Sequence, residues 1–424
     1  MTPGETNWAG NVTFGARRLR TPRSLAELQE TVASASAVRA LGTRHSFNTV
    51  ADTRGDLVSV AGLPRFLEID EEARSVTVSA GLRFGEFTGE LHRRGFALHN
   101  LGSLPHISVA GACATGTHGS GVGNRSLAGA VRALELVTAD GATAELTRPD
   151  SDFAGSVVSL GALGVVTRLT LDLVPAFDMR QWVYEGLPRE HVRSHFDEVM
   201  SEAYSVSLFT SWQDGPIDQV WVKRRMGDEG PRTAPPRWLG ASLADGPRHP
   251  VPGMPPANCT AQQGEPGAWH TRLPHFRPEF TPSSGQELQS EYFVARSDAA
   301  AAFAALDRLK ERIAPLLRIS EIRTVAADDL WLSPAHGRDS VAFHFTWLPD
   351  TDAVIPVLRS IEDALAPFGA RPHWGKLFTT TPETLRSLYA RYGDFERLVA
   401  RSDPTGTFRN EFLAHHFPGA SHAS

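Results

Sequence analysis

The chain has very little cysteine: Cys113 and Cys259 are the only two in 424 residues. That is too few for a disulfide framework, and no CxxC pair offers a redox or metal site. An excess of one charge is also missing. Lys and Arg number 42 against 48 Asp and Glu, and no basic cluster is interleaved with aromatics, so nucleic acid is not an expected partner. No apolar run approaches the ~20 residues of a membrane span. The opening stretch Met1–Trp8 has neither a charged n-region nor an apolar h-region, so the expectation is a cytoplasmic protein without a membrane partner. GxxxxGK[ST], GxSxG and HExxH are absent, as is a GxGxxG between a strand and a helix near the N-terminus. No metal site is expected.

What is present is an ordinary globular composition, 41% hydrophobic and 21% charged, at a length that allows two or three domains. The first third alternates short strands and helices. Ser24 and Glu27 form a capping box before a helix through Val32, and strands follow at Val38–Leu41, Leu57–Val60 and Arg74–Val78. A helix is predicted over Phe84–Arg94, a hairpin over Val131–Thr138 and Thr143–Leu146, and a long strand over Val165–Val174. Composition shifts near residue 176. A helix (Glu190–Ala203) and two strands (Tyr204–Trp212, Gln219–Arg225) lead into Gly227–Gly285, which holds 12 of the 29 prolines. That segment reads as ordered irregular chain over a surface, anchored by Trp238, Trp269, Phe276 and Phe280. Strands at Glu287–Val294, Ile319–Val325 and Ser340–Trp347 alternate with helices at Asp298–Ile313 and Asp352–Ala366, an antiparallel sheet with helices on one face. A last helix is expected over Pro382–Arg401. The class is α+β.

Three small-residue stretches carry the functional signal. The strand Val38–Leu41 runs into Gly42-Thr43-Arg44-His45-Ser46, a turn whose N–H groups suit an anion such as a pyrophosphate. Leu101–Gly121 is rich in small residues, 13 of its 21 being Gly, Ala, Ser or Thr, and can lie flat against a bulky planar ligand while donating hydrogen bonds. Ser159–Thr167 is a third such run. Each alone also reads as a close-packed turn; together they point to a large nucleotide cofactor.

In this order and spacing the stretches resemble the FAD-binding domain of the vanillyl-alcohol oxidase (p-cresol methylhydroxylase) superfamily, and within it the alditol (xylitol) oxidases. The likeness rests also on Asn7-Trp8-Ala9-Gly10-Asn11, Glu321–Ala327, His373-Trp374-Gly375-Lys376 and the ending Asp403-Pro404-x-Gly406-x-Phe408-x-Asn410-x-Phe412, and covers essentially the whole chain. It implies an FAD domain of residues 1–178 and 378–424 with a substrate cap at 179–377. His45 would be joined covalently to the flavin. Leu41, Gly42, Thr43, Arg44, Ser46, Ser103, Ser108, Gly111, Ala114, Thr115, Gly116, Thr117, His118 and Val165 would be further FAD contacts. Arg44 stands where some relatives have glycine.

Glu321 and Arg323 lie two apart on a strand and share a face, presenting acceptors and donors to vicinal hydroxyls; His344 and Thr346 repeat the spacing. The resemblance places Ser103, Glu321, Arg323, Thr346 and Lys376 in a polyol site. It implies oxidation at C1, hydride passing to the flavin and electrons to O₂ as H₂O₂, by a monomer. Lys376 and Arg323 would stabilise alkoxide charge, and Lys376, its pKa lowered in a closed pocket, is the expected proton acceptor, with Glu321 and His344 beside it. Gly102 would leave a path for oxygen. An aldonolactone oxidase and a flavin carrier without turnover are the alternatives.

Overall fold

A computed structural model describes residues 5–228, 233–280 and 286–420. Three short parallel strands, β1 (Arg18–Arg20), β2 (Val38–Ala40) and β3 (Asp56–Val58), pair in the order β1-β3-β2. A five-stranded antiparallel sheet follows from β4 (Leu67–Asp70), β5 (Ser75–Ser79), β6 (Val131–Val137), β7 (Thr143–Thr147) and β8 (Val165–Asp172), ordered β4-β5-β8-β6-β7. Its apolar positions, among them Val76, Val78, Leu134, Leu169 and Leu171, join a core shared with Leu385, Phe395, Leu398, Phe412 and Phe417. The C-terminal helices therefore fold back onto the first domain. The ending explains how: Asp403 accepts from the N–H groups of Thr407 and Phe408, Val38 N–H donates to Thr407 O, and Arg39 donates to Phe408 O.

The second body is a large antiparallel sheet. Its main strands are β9 (Asp178–Leu187), β10 (Ser205–Thr210), β11 (Ile217–Arg225), β12 (Leu288–Ala295), β13 (Leu317–Val325) and β14 (Ser340–Trp347), ordered β9-β11-β10-β13-β14-β12. Period-2 alternation sends two different sets of side chains to its two faces. Leu208, Val220, Val222, Ile322, Phe343, Phe345 and Trp347 face the helices Ala299–Asp307 and Thr351–Leu365 through Phe303, Val354, Leu358 and Ile361. On the opposite face Val183, Phe209, Trp221 and Ile319 meet Val251, Cys259 and Phe276 of the proline-rich segment.

Five expectations need correction. The helix of Glu190–Ala203 breaks into Arg189–Ser194 and Phe196–Met200 at His195 (φ −135°), and that of Asp298–Ile313 into Ala299–Asp307 and Lys310–Ile313. The helix of Phe84–Arg94 is a 3-10 turn (Phe84–Glu86) and a helix (Thr88–Arg93), because Phe87 leaves helical geometry at φ −133°. The tail helix breaks into Pro382–Leu388 and Tyr392–Ser402: Arg371 Nε donates to Leu388 O, while the buried Tyr389 ring packs on Trp374. Of the four aromatic anchors, Trp269 and Phe276 pack inward and Trp238 packs on Tyr184, but Phe280 is exposed.

Candidate active site

One cavity of about 850 Å³ runs between the first domain and the inner face of the cap sheet. At one end lies the Gly42–Ser46 turn. Arg44 has φ +65°, a backbone region that favours glycine, and its guanidinium turns to Glu5 at 3.5 Å. His45 stacks on Trp8 with ring centroids 5.2 Å apart, and its Nδ1 is buried with no hydrogen-bond partner. Burial pulls the His45 pKa down to about 4, so the ring is neutral with a free lone pair at neutral pH.

The second run supplies the opposite wall. Ser108 Oγ is another buried atom without a partner, and side chains at Gly42 or Gly111 would press to 2.8 and 2.9 Å from it. Two glycines thus keep open the space around one unpaired hydroxyl, which fits a bulky anionic cofactor. Leu41, Thr43, Ser46, Ser103, Ala114, Thr115, Thr117 and His118 also line the cavity, as do Ser159, Leu160 and Gly161 of the third run. Gly116 and Val165 do not. Gly116 has φ +73° and abuts Pro334, and Val165 packs among Leu28, Val38 and Phe408.

The motifs at the two ends of the chain meet here. Asn7 and Asn11 donate to Ser46 O and Phe47 O, bracing the turn from outside. Asn48 Nδ2 donates to Trp374 O and Lys376 O, both at 2.8 Å, so the turn that carries His45 also fixes the backbone of Lys376.

The cap sheet supplies the other end. Register pairs Glu291 of β12 with His344 of β14, and His344 with Glu321 of β13. A carboxylate, an imidazole and a carboxylate therefore stand in one row on the inner face, with Arg323 and Thr346 in the rows beside it. Sequence reasoning missed Glu291, which proves central. Arg323 Nη2 donates to its Oε1 at 2.5 Å, Lys376 Nζ donates to its Oε2 at 2.7 Å, and His118 Nε2 lies 3.2 Å from Oε1. Burial would raise the Glu291 carboxyl, but the Arg323 and Lys376 charges hold it well below the usual carboxylate range. Its place on the same face as Gln289 and Phe293, in a strand whose second half is apolar, was the available signal. Nothing local marks Lys223 or His275, which come from separate elements. His275 Nε2 bonds Glu321 Oε1 at 2.8 Å, and Lys223 Nζ donates to His275 Nδ1 at 3.1 Å.

Two site residues bear on where a proton could go. Burial draws the Lys376 pKa below the ordinary lysine value, as expected, while its Nζ donates to Glu291 Oε2, and paired in that way it is an ammonium. An ammonium has no lone pair and cannot accept a proton. His344 can: it is buried, neither ring nitrogen has a partner, and burial and Lys376 hold its pKa well below 6.5. Among the described residues no group of three His, Cys, Asp or Glu could hold a metal, and no helix is long and apolar enough to cross a membrane.

Comparison with known proteins agrees with this architecture. Residues 16–147 match the FAD binding domain family and residues 286–416 the D-arabinono-1,4-lactone oxidase family. The chain is 50% identical to an alditol oxidase of Streptomyces sp. (strain IKD472 / FERM P-14339), over 97% of this chain and 99% of the relative. It is 29% identical to the L-gulono-1,4-lactone dehydrogenase of Mycobacterium tuberculosis, over 97% and 98%. Among solved structures, the cholesterol oxidase from B. sterolicum superposes with a TM-score of 0.79 at 15% identity, covering 98% of this chain and 97% of that one. A chitooligosaccharide oxidase superposes with a TM-score of 0.72 at 13% identity, over 96% and 93%.

Proposed function

We propose that this chain, which belongs to the alditol oxidase family of FAD-dependent oxidases, oxidises the terminal primary hydroxyl of an open-chain polyol to the aldehyde, with O₂ reduced to H₂O₂. Residues 1–178 and 378–424 hold the FAD, covalently through His45, and 179–377 hold the substrate. The observation that carries the reading is the inner-face row of the cap sheet. One cavity places an acceptor (Glu321), two cationic donors (Arg323, Lys376) and an unpartnered imidazole (His344) opposite the His45 turn. Such alternating donors and acceptors match neighbouring hydroxyls.

FAD held there would supply the hydride acceptor and the route for electrons to oxygen. The protein's part is positional and electrostatic. Glu321, Thr346 and Ser103 orient the hydroxyls, and the cations of Lys376 and Arg323 face the oxygen that loses its proton, where negative charge develops. His344 takes that proton, and Glu291 and Glu321 on the adjoining strands favour the imidazolium so formed. Unpartnered His45 Nδ1 on the cavity wall supports the covalent attachment.

The lactone-oxidase match over 286–416 favours a second reading, oxidation of a sugar 1,4-lactone. One assay separates the two: peroxide release in air from flavin-loaded protein given xylitol, sorbitol, glycerol or an aldonolactone. Polyols alone should yield peroxide. Peroxide from the lactone alone moves the function to the second reading, and none from any of the four refutes both.

A further inference from the structure

Lys223 is an anomaly. It lies on the inner face of β11, 1% exposed, behind the site rather than in it. Its Nζ has three acceptors within reach: Leu273 O at 2.6 Å, Pro274 O at 3.1 Å and His275 Nδ1 at 3.1 Å. Burial draws the Lys223 pKa down to about 7 against the pull of Glu321, and below that pH the ammonium's three N–H bonds fill the set, leaving Nδ1 of His275 as an acceptor. The one remaining ring proton must then sit on Nε2, 2.8 Å from Glu321 Oε1. The imidazole stands edge-on to Phe209 and Trp221, centroids 5.5 and 5.0 Å away, and these contacts oppose a turn that would exchange its nitrogens. Glu321 thus has one oxygen engaged. Oε2 keeps only Arg323 Nε, at 3.6 Å, and is the oxygen open to a ligand.

We propose that Lys223 is a positioning residue for the substrate site: it keeps His275 neutral with its proton on Nε2, so that Glu321 meets the substrate as a full carboxylate acceptor rather than as half of an ion pair with an imidazolium. The assignment of Glu321 to substrate hydroxyls rests on the function proposed above; the state of His275 does not. The charged and titratable groups around the pair are Glu321 and Arg323 on the sheet, with Arg272 and Cys259 on the covering segment. Burial first, and then the Lys223 charge, pull the His275 pKa down to about 4, and only Glu321 opposes them. Removing the cation leaves Nδ1 free to take a second proton beside a carboxylate. The same lysine braces the site a second way. It fastens the Leu273–His275 backbone, whose His275 N–H donates to Ser103 O at 3.1 Å.

The test uses flavin-loaded protein with ¹⁵N-labelled histidine, the His275 signal being identified by its loss in His275→Leu. In the wild type His275 should stay neutral from pH 8 to 5, with its proton on Nε2 below pH 7, where Lys223 is charged. In Lys223→Met it should become imidazolium between pH 8 and 6, and KM for xylitol should acquire an ionisation in that range that the wild type lacks. The KM at pH 7 should rise about fivefold or more, with kcat changed less. An imidazolium in the wild type at pH 7 overturns the proposal, as does a Lys223→Met protein whose His275 does not ionise above pH 6. If the wild type turns over no polyol, the function above has failed, and the NMR arm still decides the state of His275. Should Lys223→Met not fold, His275→Gln and His275→Leu decide. Gln can donate to Glu321 but cannot ionise, so its KM should rise clearly less than that of Leu; equal rises overturn the proposal.

Discussion

Glu291→Gln is the substitution whose consequences the geometry specifies most fully. Glu291 is 1% exposed, and its two oxygens are shared by Arg323, Lys376 and His118. Gln keeps the shape and removes the charge, leaving two cations in a closed site with Glu321 as the remaining carboxylate of the array. Breaking a buried pair by removing one partner costs about 3–5 kcal/mol. An upper bound comes from the escape route, in which Lys376 gives up its proton: from an ordinary lysine pKa of 10.5 down to pH 7 this costs at most about 5 kcal/mol at 1.36 kcal/mol per unit. The two figures agree. With an unfolding entropy of roughly 2.1 cal/mol/K per residue, a single transition of the whole chain would drop in Tm by roughly 3–6 °C. The pH dependence identifies the group responsible. A neutral buried Lys376 in the variant means that folding releases a proton, so the variant gains stability as pH rises toward 10.5. The gap from wild type should therefore narrow between pH 7 and 9.5. Below pH 4.5 it should narrow again, because the depressed Glu291 pKa contributes wild-type stability above that value and loses it as pH falls. Thermal unfolding of flavin-loaded protein across this range is the assay. A gap under ~1 °C at pH 7, or one that stays constant up to pH 9.5, would refute the reasoning.

Three further predictions concern separate parts of the molecule. His45→Ala should abolish flavin fluorescence in the denatured protein band on a gel, while the folded protein still takes up FAD; a fluorescent band would falsify the covalent link. His344→Gln should lower kcat by about 10²–10⁴ if His344 takes the proton, and near-normal turnover would sink that role. Because burial holds the His344 pKa well below 6.5, the base is neutral throughout the neutral range, and the acid limb of the wild-type kcat/KM profile should lie below pH 6.5. Gly155→Ala should destabilise by about 1–3 kcal/mol, since the added Cβ would lie 2.3 Å from the Trp331 ring that docks the cap's Leu330–Leu332 loop into the first core; an unchanged Tm would show that this contact yields freely.

Local chemistry made much of this protein legible in its sequence. The Gly, Thr and Ser turn after an apolar strand and the small-residue run of Leu101–Gly121 each read alone as a close-packed turn, and only together with Ser159–Thr167 did they point to a bound nucleotide. Alternation put Glu321 with Arg323, and His344 with Thr346, on one face of their own strands before any strand was paired, because side-chain direction on a strand depends only on parity. Parity is silent about partners. That Glu291, His344 and Glu321 stand in one row is a matter of register among three strands, set by the packing of the whole sheet. Gly116 and Val165 lie in the right motifs yet turn away from the cavity, because one backbone angle or one core neighbour decides the direction. Lys376 shows the difference most plainly. As a lysine beside a glycine it was a reasonable base, and only the tertiary structure brings Glu291, 85 residues away in the chain, to within 2.7 Å of it. The protonation state of a buried group is set by the charges folded around it, and no stretch of sequence carries that information by itself.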